Sequence, residues 1–318
     1  MRHEDPLPPP AARRARGEAR RPIGRRAALG LGAALGVPAL LGACGALPGP
    51  RPREAGEPVR VPYARASARQ FGHLHLPPGT GEDRTRPLLP VVVVVHGGGW
   101  SSGSHLTGTT DISRDLASHG AAVWNIEYRG DSGFGSWPRT YEDVAAAVDF
   151  VPLLGAFAPF RPDVGSVHVT GNSAGGSLAA WVASRTALPA GAPGARVRQR
   201  VHSCVPLCGV YDLALAYREG DRYVRSLLGG TPEERPLEYR LASPAAHVPT
   251  GIPVTVLHGR EDDVVPVRQA ETYARAARRA GDPVELVLMD GVGHGGWTDL
   301  GSPVWEASRA AILGHLRR

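Results

Sequence analysis

Cysteine is scarce in this 318-residue chain, which contains only Cys44, Cys204 and Cys208. Residues four apart on an extended strand lie about 13 Å from each other, whereas a disulfide needs its Cα atoms within about 7 Å. We therefore expect Cys204 and Cys208 to be two small buried thiols, unless the chain turns between them. The twelve histidines form no H-E-x-x-H pattern and no C-x-x-C pair is present, so neither a metal site nor a cofactor is predicted.

The chain also lacks internal repeats, coiled-coil heptads and an excess of charge spread along its length. Its formal net charge is +6, but a group of arginines near the start exceeds that whole excess. The rest of the chain is close to neutral, which argues against nucleic acid as a partner. The arginines in question are Arg13, Arg14, Arg16, Arg20, Arg21, Arg25 and Arg26.

The basic start is followed by a short apolar run that is typical of an export signal. Arg25-Arg26 precedes residues 27–43, which are mostly Ala, Leu and Gly, and the pair resembles a twin-arginine signal. The run ends in Leu-Gly-Ala-Cys, which resembles a bacterial lipobox with Cys44 as the lipid-modified residue. Cleavage without lipidation and a retained N-terminal anchor are the alternatives. We predict an export signal over 1–44, a Pro-rich tether over 45–58, and a secreted or lipid-anchored location.

From residue 59 to 318, strand-like and helix-like segments alternate. This order predicts one α/β domain with a mostly parallel sheet and helices on both faces. A longer segment, 211–249, is predicted to be an irregular insertion that forms a small lid or substrate rim. The predicted strands are 60–64, 70–76, 91–95, 122–126, 167–170, 201–207, 254–258 and 284–289, and the predicted helices are 141–154, 177–185, 267–280 and 304–316.

A serine stands between two glycines at residues 171–175, which read Gly-Asn-Ser-Ala-Gly. The segment follows a β-branched run and precedes an Ala-rich helical stretch. A sharp strand-to-helix turn needs neighbours without bulk, and it exposes the serine oxygen beside the N–H groups that open the helix. Ser173 is therefore the candidate nucleophile.

A run of three glycines follows the strand at 91–95, in the sequence His-Gly-Gly-Gly-Trp at 96–100. Glycines let backbone N–H groups point into a cavity, where they can stabilise an oxyanion. Gly98 and Gly99 are the candidate donors, with the N–H of Ala174 as their partner. A flexible loop or a phosphate cradle is the alternative. Trp100 is expected either to wall an acyl pocket or to pack in the core.

These two motifs, with a late aspartate and histidine, resemble the α/β-hydrolase family, in its esterase/lipase branch with an HGGG-type oxyanion loop. The resemblance covers about residues 60–318 and implies the chain order Ser…Asp…His. Residues 262–266, Asp-Asp-Val-Val-Pro, resemble the family's D-x-x-V-P loop, which makes Asp262 the acid and Asp263 the alternative. His294, in a glycine-rich loop after the last strand, takes the position of the base. His96 and His258 are the alternative bases.

The resemblance implies a serine hydrolase that cleaves carboxylic esters of small to medium acyl substrates through an acyl-enzyme. Residues 207–213 and the HGGGW loop also resemble kynurenine-formamidase-like and carboxylesterase-like members. An aryl formamidase, a peptidase or amidase of the same fold, and a non-catalytic binding module are the alternatives. The expected partner is a small-molecule ester, with possible membrane attachment through a lipid on Cys44.

Overall fold

The computed structural model describes residues 56–82, 86–133 and 135–317. The predicted export signal, Cys44 and the tether up to residue 55 lie outside these described residues. Within the described part of the chain, no helix combines the length and the apolar character needed to cross a membrane.

The strands of the described residues are β1 (Val59–Pro62), β2 (Phe71–His75), β3 (Leu88–Val95), β4 (Ala122–Ile126), β5 (Arg161–Asn172), β6 (Ser203–Leu207), β7 (Val254–Gly259) and β8 (Val284–Met289). These eight strands form one sheet in the order β1-β2-β4-β3-β5-β6-β7-β8. The pairs β1–β2 and β2–β4 are antiparallel, and every other neighbouring pair is parallel. This confirms the mostly parallel α/β sheet.

Helices cover both faces of the sheet because side chains alternate along each strand. In β3, Val91, Val93 and Val95 belong to one apolar cluster, together with residues of the helices Arg139–Asp149, Ala174–Ala183 and Arg268–Arg279. Val92 and Val94 belong to a second cluster, together with residues of the helices Thr110–Ser118 and Pro303–Leu316. The continuous valine run is therefore buried on both sides. The helices are α1 (Thr110–Ser118), α2 (Arg139–Asp149), α3 (Ala174–Ala183), α4 (Leu213–Arg218), α5 (Arg222–Leu228), α6 (Pro236–Ala242), α7 (Arg268–Arg279) and α8 (Pro303–Leu316).

The structure corrects two expectations about helices and adds one helix that was not predicted. The segment 211–249, predicted to be irregular, contains the short helices α4, α5 and α6. The helix predicted over 141–154 ends at Asp149 and continues as a 3-10 turn, Val151–Ala156, since Pro152 has no N–H to continue the α-helical pattern. Helix α1 was not predicted, because Ile112 and Leu116 are its only two large apolar residues and two such residues make a weak helical pattern.

The parallel register places the functional loops at one edge of the sheet. Val95 is paired with Gly171, so the glycine loop after β3 lies beside the serine turn after β5. Gly259 is paired with Met289, which brings the loops that carry Asp262 and His294 together. Ligands commonly bind outside the carboxyl ends of parallel strands. Both Cys204 and Cys208 are buried free thiols, as predicted.

Candidate active site

Ser173 occupies a strained turn between β5 and α3. Its φ is +55° and its ψ is −123°, values that a non-glycine residue rarely adopts. A Cβ added at Gly171 would lie 2.5 Å from the carbonyl oxygen of Val95, and one at Gly175 would lie 2.1 Å from the same oxygen. The turn therefore packs directly on the end of β3, and the two glycines are needed because no side chain fits there.

His294 connects Ser173 to Asp262 through two hydrogen bonds. Its Nε2 is 3.0 Å from Ser173 Oγ, and its Nδ1 is 2.7 Å from Asp262 Oδ2. The other carboxylate oxygen, Oδ1, accepts from the N–H groups of Val264 at 3.0 Å and Val265 at 2.8 Å. Because an ionised carboxylate only accepts, Nδ1 carries the proton and Nε2 is free to accept from the serine hydroxyl.

The environment of Asp262 keeps it ionised. Burial raises the pKa of this carboxyl, but hydrogen bonds from His258, His294 and the Val265 N–H outweigh burial, so the net pKa is well below the usual range. Asp263, the alternative acid in the sequence analysis, is exposed and does not contact His294. The loop thus presents its first aspartate to the imidazole and its second to solvent.

His258 has a role that the sequence did not predict, since it was considered there as an alternative base. It is fully buried, its Nε2 donates to the Val265 carbonyl at 2.8 Å, and the same nitrogen lies 3.4 Å from Asp262 Oδ2. It therefore supports the acid rather than replacing His294. The sequence held one indication of this role, because His258 lies at the end of β7, four residues before Asp262.

The glycine loop gives the site free backbone donors. Gly98 has a φ of +103° and Gly99 a φ of +60°, a region that favours glycine. Their N–H groups and that of Ala174 have no acceptor among the described residues. All three line a cavity of about 480 Å³ that also contains Ser173 and His294. Such donors beside a nucleophile are the elements of an oxyanion hole.

Residues 76–276, more than half of the chain, match the family model described as BD-FAE. The chain belongs to the BD-FAE family of α/β-hydrolases. It is 28% identical to Esterase LipQ of Mycobacterium tuberculosis over 241 residues, which cover 74% of this chain and 56% of that protein. It is 32% identical to Esterase LipC of the same organism over 227 residues, 66% of this chain and 54% of that protein. The chain thus spans a little over half the length of these relatives.

Among solved structures, a truncated carbohydrate esterase from gut microbiota superimposes with a TM-score of 0.70. Its sequence is 22% identical, and the match covers 84% of this chain and 99% of that one. At this level of identity the likeness shows the fold, and it agrees with the BD-FAE assignment.

Trp100 both packs in the core and borders the site of this BD-FAE family member. Its side chain is 1% exposed, belongs to the larger apolar cluster and lines the cavity with Ser173. It has a φ of +55°, and its indole N–H has no partner among the described residues. The core-packing expectation is confirmed, and the expectation that Trp100 walls an acyl pocket stays a prediction.

The insertion supplies the rim of the cavity. Tyr223, at the start of α5, is 51% exposed, and its ring covers the loop so closely that a Cβ on Gly99 would lie 2.8 Å from its Cδ1. Asp221 caps α5 by accepting from the Tyr223 N–H, and burial raises the pKa of its carboxyl. A second cavity of about 330 Å³ shares Val210, Asp221, Tyr223, Val264 and Val265 with the first.

One group of side chains in the described part of the chain is compact enough to hold a metal ion. The ligand atoms of Cys208, Asp262 and His294 all lie within 4.8 Å of one another. Burial raises the pKa of the Cys208 thiol well above its usual value, which disfavours the thiolate that a metal needs. A metal at His294 Nδ1 would also displace the proton that bonds Asp262. The geometry fits the histidine–carboxylate hydrogen bond better than metal binding.

Proposed function

We propose that this chain is a serine hydrolase that cleaves carboxylic esters through an acyl-enzyme. One observation carries the proposal: the continuous hydrogen-bonded series Ser173–His294–Asp262, with distances of 3.0 and 2.7 Å. Neutral imidazole, with its bare Nε2 facing the hydroxyl, is the form that can remove the serine proton. The relatives named as esterases support the same activity.

The proposed reaction has two halves. Ser173 Oγ attacks the ester carbonyl carbon while its proton moves to His294 Nε2, and the N–H groups of Gly98, Gly99 and Ala174 hold the resulting oxyanion. As the carbonyl re-forms, the bond to the alcohol breaks and the alcohol oxygen takes the proton from His294. Water then gives a proton to His294 and attacks the acyl carbon, which releases the acid and restores Ser173.

The cavity supports esters of small to medium size. Its volume of about 480 Å³ lies within the range of small-molecule sites. The insertion contributes short helices rather than a long amphipathic lid, which favours soluble esters over a lipid surface. Because Tyr223 is exposed over the site, we infer that the substrate contacts this ring.

The Ser173→Ala substitution tests the proposal most directly. It should lower kcat on a short acyl ester by about 10⁴- to 10⁶-fold, since it removes the nucleophile while the backbone turn remains. A fluorophosphonate should label the wild type at Ser173 and leave the variant unlabelled. Ser118→Ala, at an exposed position at the end of α1 and outside this cavity, should keep both activity and labelling.

Full turnover in the folded Ser173→Ala protein would contradict the mechanism. A folded wild type that takes no label would favour a binding module instead. Esters of graded acyl length, an aryl formamide and a dipeptide amide, assayed together, separate ester hydrolysis from the formamidase and peptidase alternatives.

We also propose that the protein is exported and attached to the extracytoplasmic membrane surface by a lipid on Cys44. Arg25-Arg26, the apolar run 27–43 and the small residues before Cys44 support this. In a bacterial host that processes lipoproteins, Cys44→Ala should move the protein from the membrane to the soluble exported fraction. Cys204→Ala, which changes a buried thiol, should leave the distribution unchanged. Unaltered membrane attachment of Cys44→Ala would exclude the lipid anchor.

A further inference from the structure

His96, the first residue of the glycine loop, has an acceptor at each ring nitrogen. Its Nε2 is 2.9 Å from Glu127 Oε1, and its Nδ1 is 2.8 Å from the carbonyl oxygen of Gly97. A carbonyl oxygen can only accept a hydrogen bond, and so can an ionised carboxylate. Protons on both ring nitrogens would satisfy both acceptors, and the ring that would carry them is buried.

Glu127 is held as a carboxylate by a set of donors from three parts of the chain. Oε1 accepts from Arg69 Nη2 at 2.8 Å and from the Tyr128 N–H at 3.1 Å, and Oε2 accepts from the Leu106 N–H at 3.2 Å. His105 Nδ1 lies 3.4 Å from Oε2. Burial raises the pKa of Glu127, but the hydrogen bond and charge of His96, the charge of Arg69 and the Leu106 N–H together lower it.

The ring of His96 is also fixed in place. It stacks on Tyr128 with ring centres 4.2 Å apart and planes at 8°. The Tyr128 hydroxyl donates to the His96 carbonyl at 2.9 Å. Arg69 extends the same network to the chain after the glycine loop, because its Nη1 donates to the Ser102 carbonyl at 2.8 Å. The loop is thus held from both ends by one buried ionic cluster.

The acceptor at Nδ1 connects this cluster to the proposed chemistry. The Gly97 carbonyl and the Gly98 N–H belong to the same peptide group, so a charged donor at the carbonyl oxygen polarises the N–H and makes it a stronger donor. The loop is closely packed at this point, since a Cβ on Gly98 would lie 2.0 Å from Ser104 Oγ.

We propose that Glu127 and His96 are positioning residues: Glu127 keeps His96 doubly protonated, and the Nδ1–H of His96 orients and polarises the Gly97–Gly98 peptide for the oxyanion. This inference rests on the proposed ester hydrolysis for its catalytic part. The protonation state of His96 is independent of any activity, so the two can fail separately.

The protonation state is measured first, by NMR of the full chain labelled with ¹⁵N in its histidine rings. At pH 8 an exposed histidine is neutral, because its ordinary pKa is about 6.5. One imidazolium signal should persist at that pH, disappear from the His96→Gln spectrum, and be replaced by a neutral tautomer in Glu127→Gln. A neutral His96 in the wild type at pH 8 would overturn the proposal.

Steady-state kinetics then measure how much the Gly98 donor contributes to kcat. Loss of a whole oxyanion donor costs about 10²- to 10³-fold in kcat, so a weakened donor in Glu127→Gln should cost about 10- to 100-fold, with KM changed by less than about threefold. His96→Gln should show the same split, and the double variant should be no slower than the slower single one. If Glu127→Gln does not fold, His96→Gln alone carries the kinetic test.

Asp143→Asn is the matched control. Asp143 is also a buried carboxylate, and it accepts from Arg129 Nη2 at 2.7 Å and from Gln70 Nε2 at 2.7 Å, with no contact to the glycine loop. Its variant should lose thermal stability but keep kcat, in assays run well below the unfolding temperature. Equal kcat losses in Glu127→Gln and Asp143→Asn, or a change confined to KM, would assign Glu127 a merely structural role.

Discussion

Buried and half-buried histidines occur at both ends of the sheet, and their partners differ. At the carboxyl end, His96 contacts Glu127, while His258 and His294 both contact Asp262. Towards the other end, His168 is paired with Ser203, the first residue of β6, and its ring nitrogens contact the hydroxyls of Ser166 and Ser203. His75, paired there with Val123 of β4, has no partner for either ring nitrogen within the described chain.

The two sets differ in the charge that the fold tolerates. Desolvation lowers the pKa of His75 to about 4, and it does the same for His168. These two imidazoles are packing residues that must stay neutral. At the carboxyl end, each carboxylate offsets the cost of desolvating a nearby positive charge. The acids Glu127 and Asp262, more than the histidines themselves, therefore determine where an imidazolium can exist in this fold.

Removing the acid from the site should therefore have the largest effect. Asp262→Asn would make the surroundings of His294 resemble those of His168, with a neutral partner only. The imidazolium formed during the reaction loses its counter-charge, and the amide favours the wrong tautomer, so kcat on a short ester should fall by about 10⁴-fold. Steady-state kinetics and fluorophosphonate labelling rates measure this loss.

The neighbouring acid provides the control for that substitution. Asp263→Asn removes the same charge one residue away, at an exposed position. It should change kcat by no more than about twofold, since exposed charges are screened by water and salt. Comparable losses in the two variants would mean that the net charge of the loop, rather than the contact to His294, supports catalysis.

The two glycine motifs could be located from the sequence because their constraints are local. Gly171 and Gly175 are required by a backbone approach to Val95, and Gly98 and Gly99 by positive φ angles, so each motif reveals its own geometry. The strands were predicted well for a similar reason, since a continuous β-branched run such as 91–95 predicts a buried strand from the local sequence alone.

Partners that lie far apart in the chain could not be predicted in this way. Glu127 meets His96 across 31 residues and Arg69 across 58, so their contact depends on the register of neighbouring strands. Helix α5 was missed although Asp221 caps its start and Gly229 ends it with a φ of +73°. Those signals were present, but seven residues make a weak helical pattern when tertiary packing supplies most of the stability.

The last prediction concerns His75, at the amino end of the sheet, and its expected effect is on stability and is the smallest. His75 is neutral when folded and titrates near pH 6.5 when unfolded, so the unfolded chain binds more protons below that pH. The titration of His75 therefore leaves the unfolding free energy unchanged above pH 6.5 and lowers it as the pH falls from 6.5 towards about 4. Below that pH the loss of unfolding free energy stays constant. A shift of this size corresponds to about 3 kcal/mol of unfolding free energy over that window.

His75→Phe should remove that part of the pH dependence, because a phenyl ring needs no partner in an apolar site. Urea unfolding at pH 7.5 and pH 4.5 would measure it: the variant should exceed the wild type in stability by a margin that grows as the pH falls. His119→Gln, at an exposed position after α1, should track the wild type at both pH values. If the wild type and His75→Phe lost the same free energy on acidification, His75 would have to titrate normally in the folded state. Its unpaired burial at the amino end of the sheet would then not distinguish it from the partnered histidines at the carboxyl end.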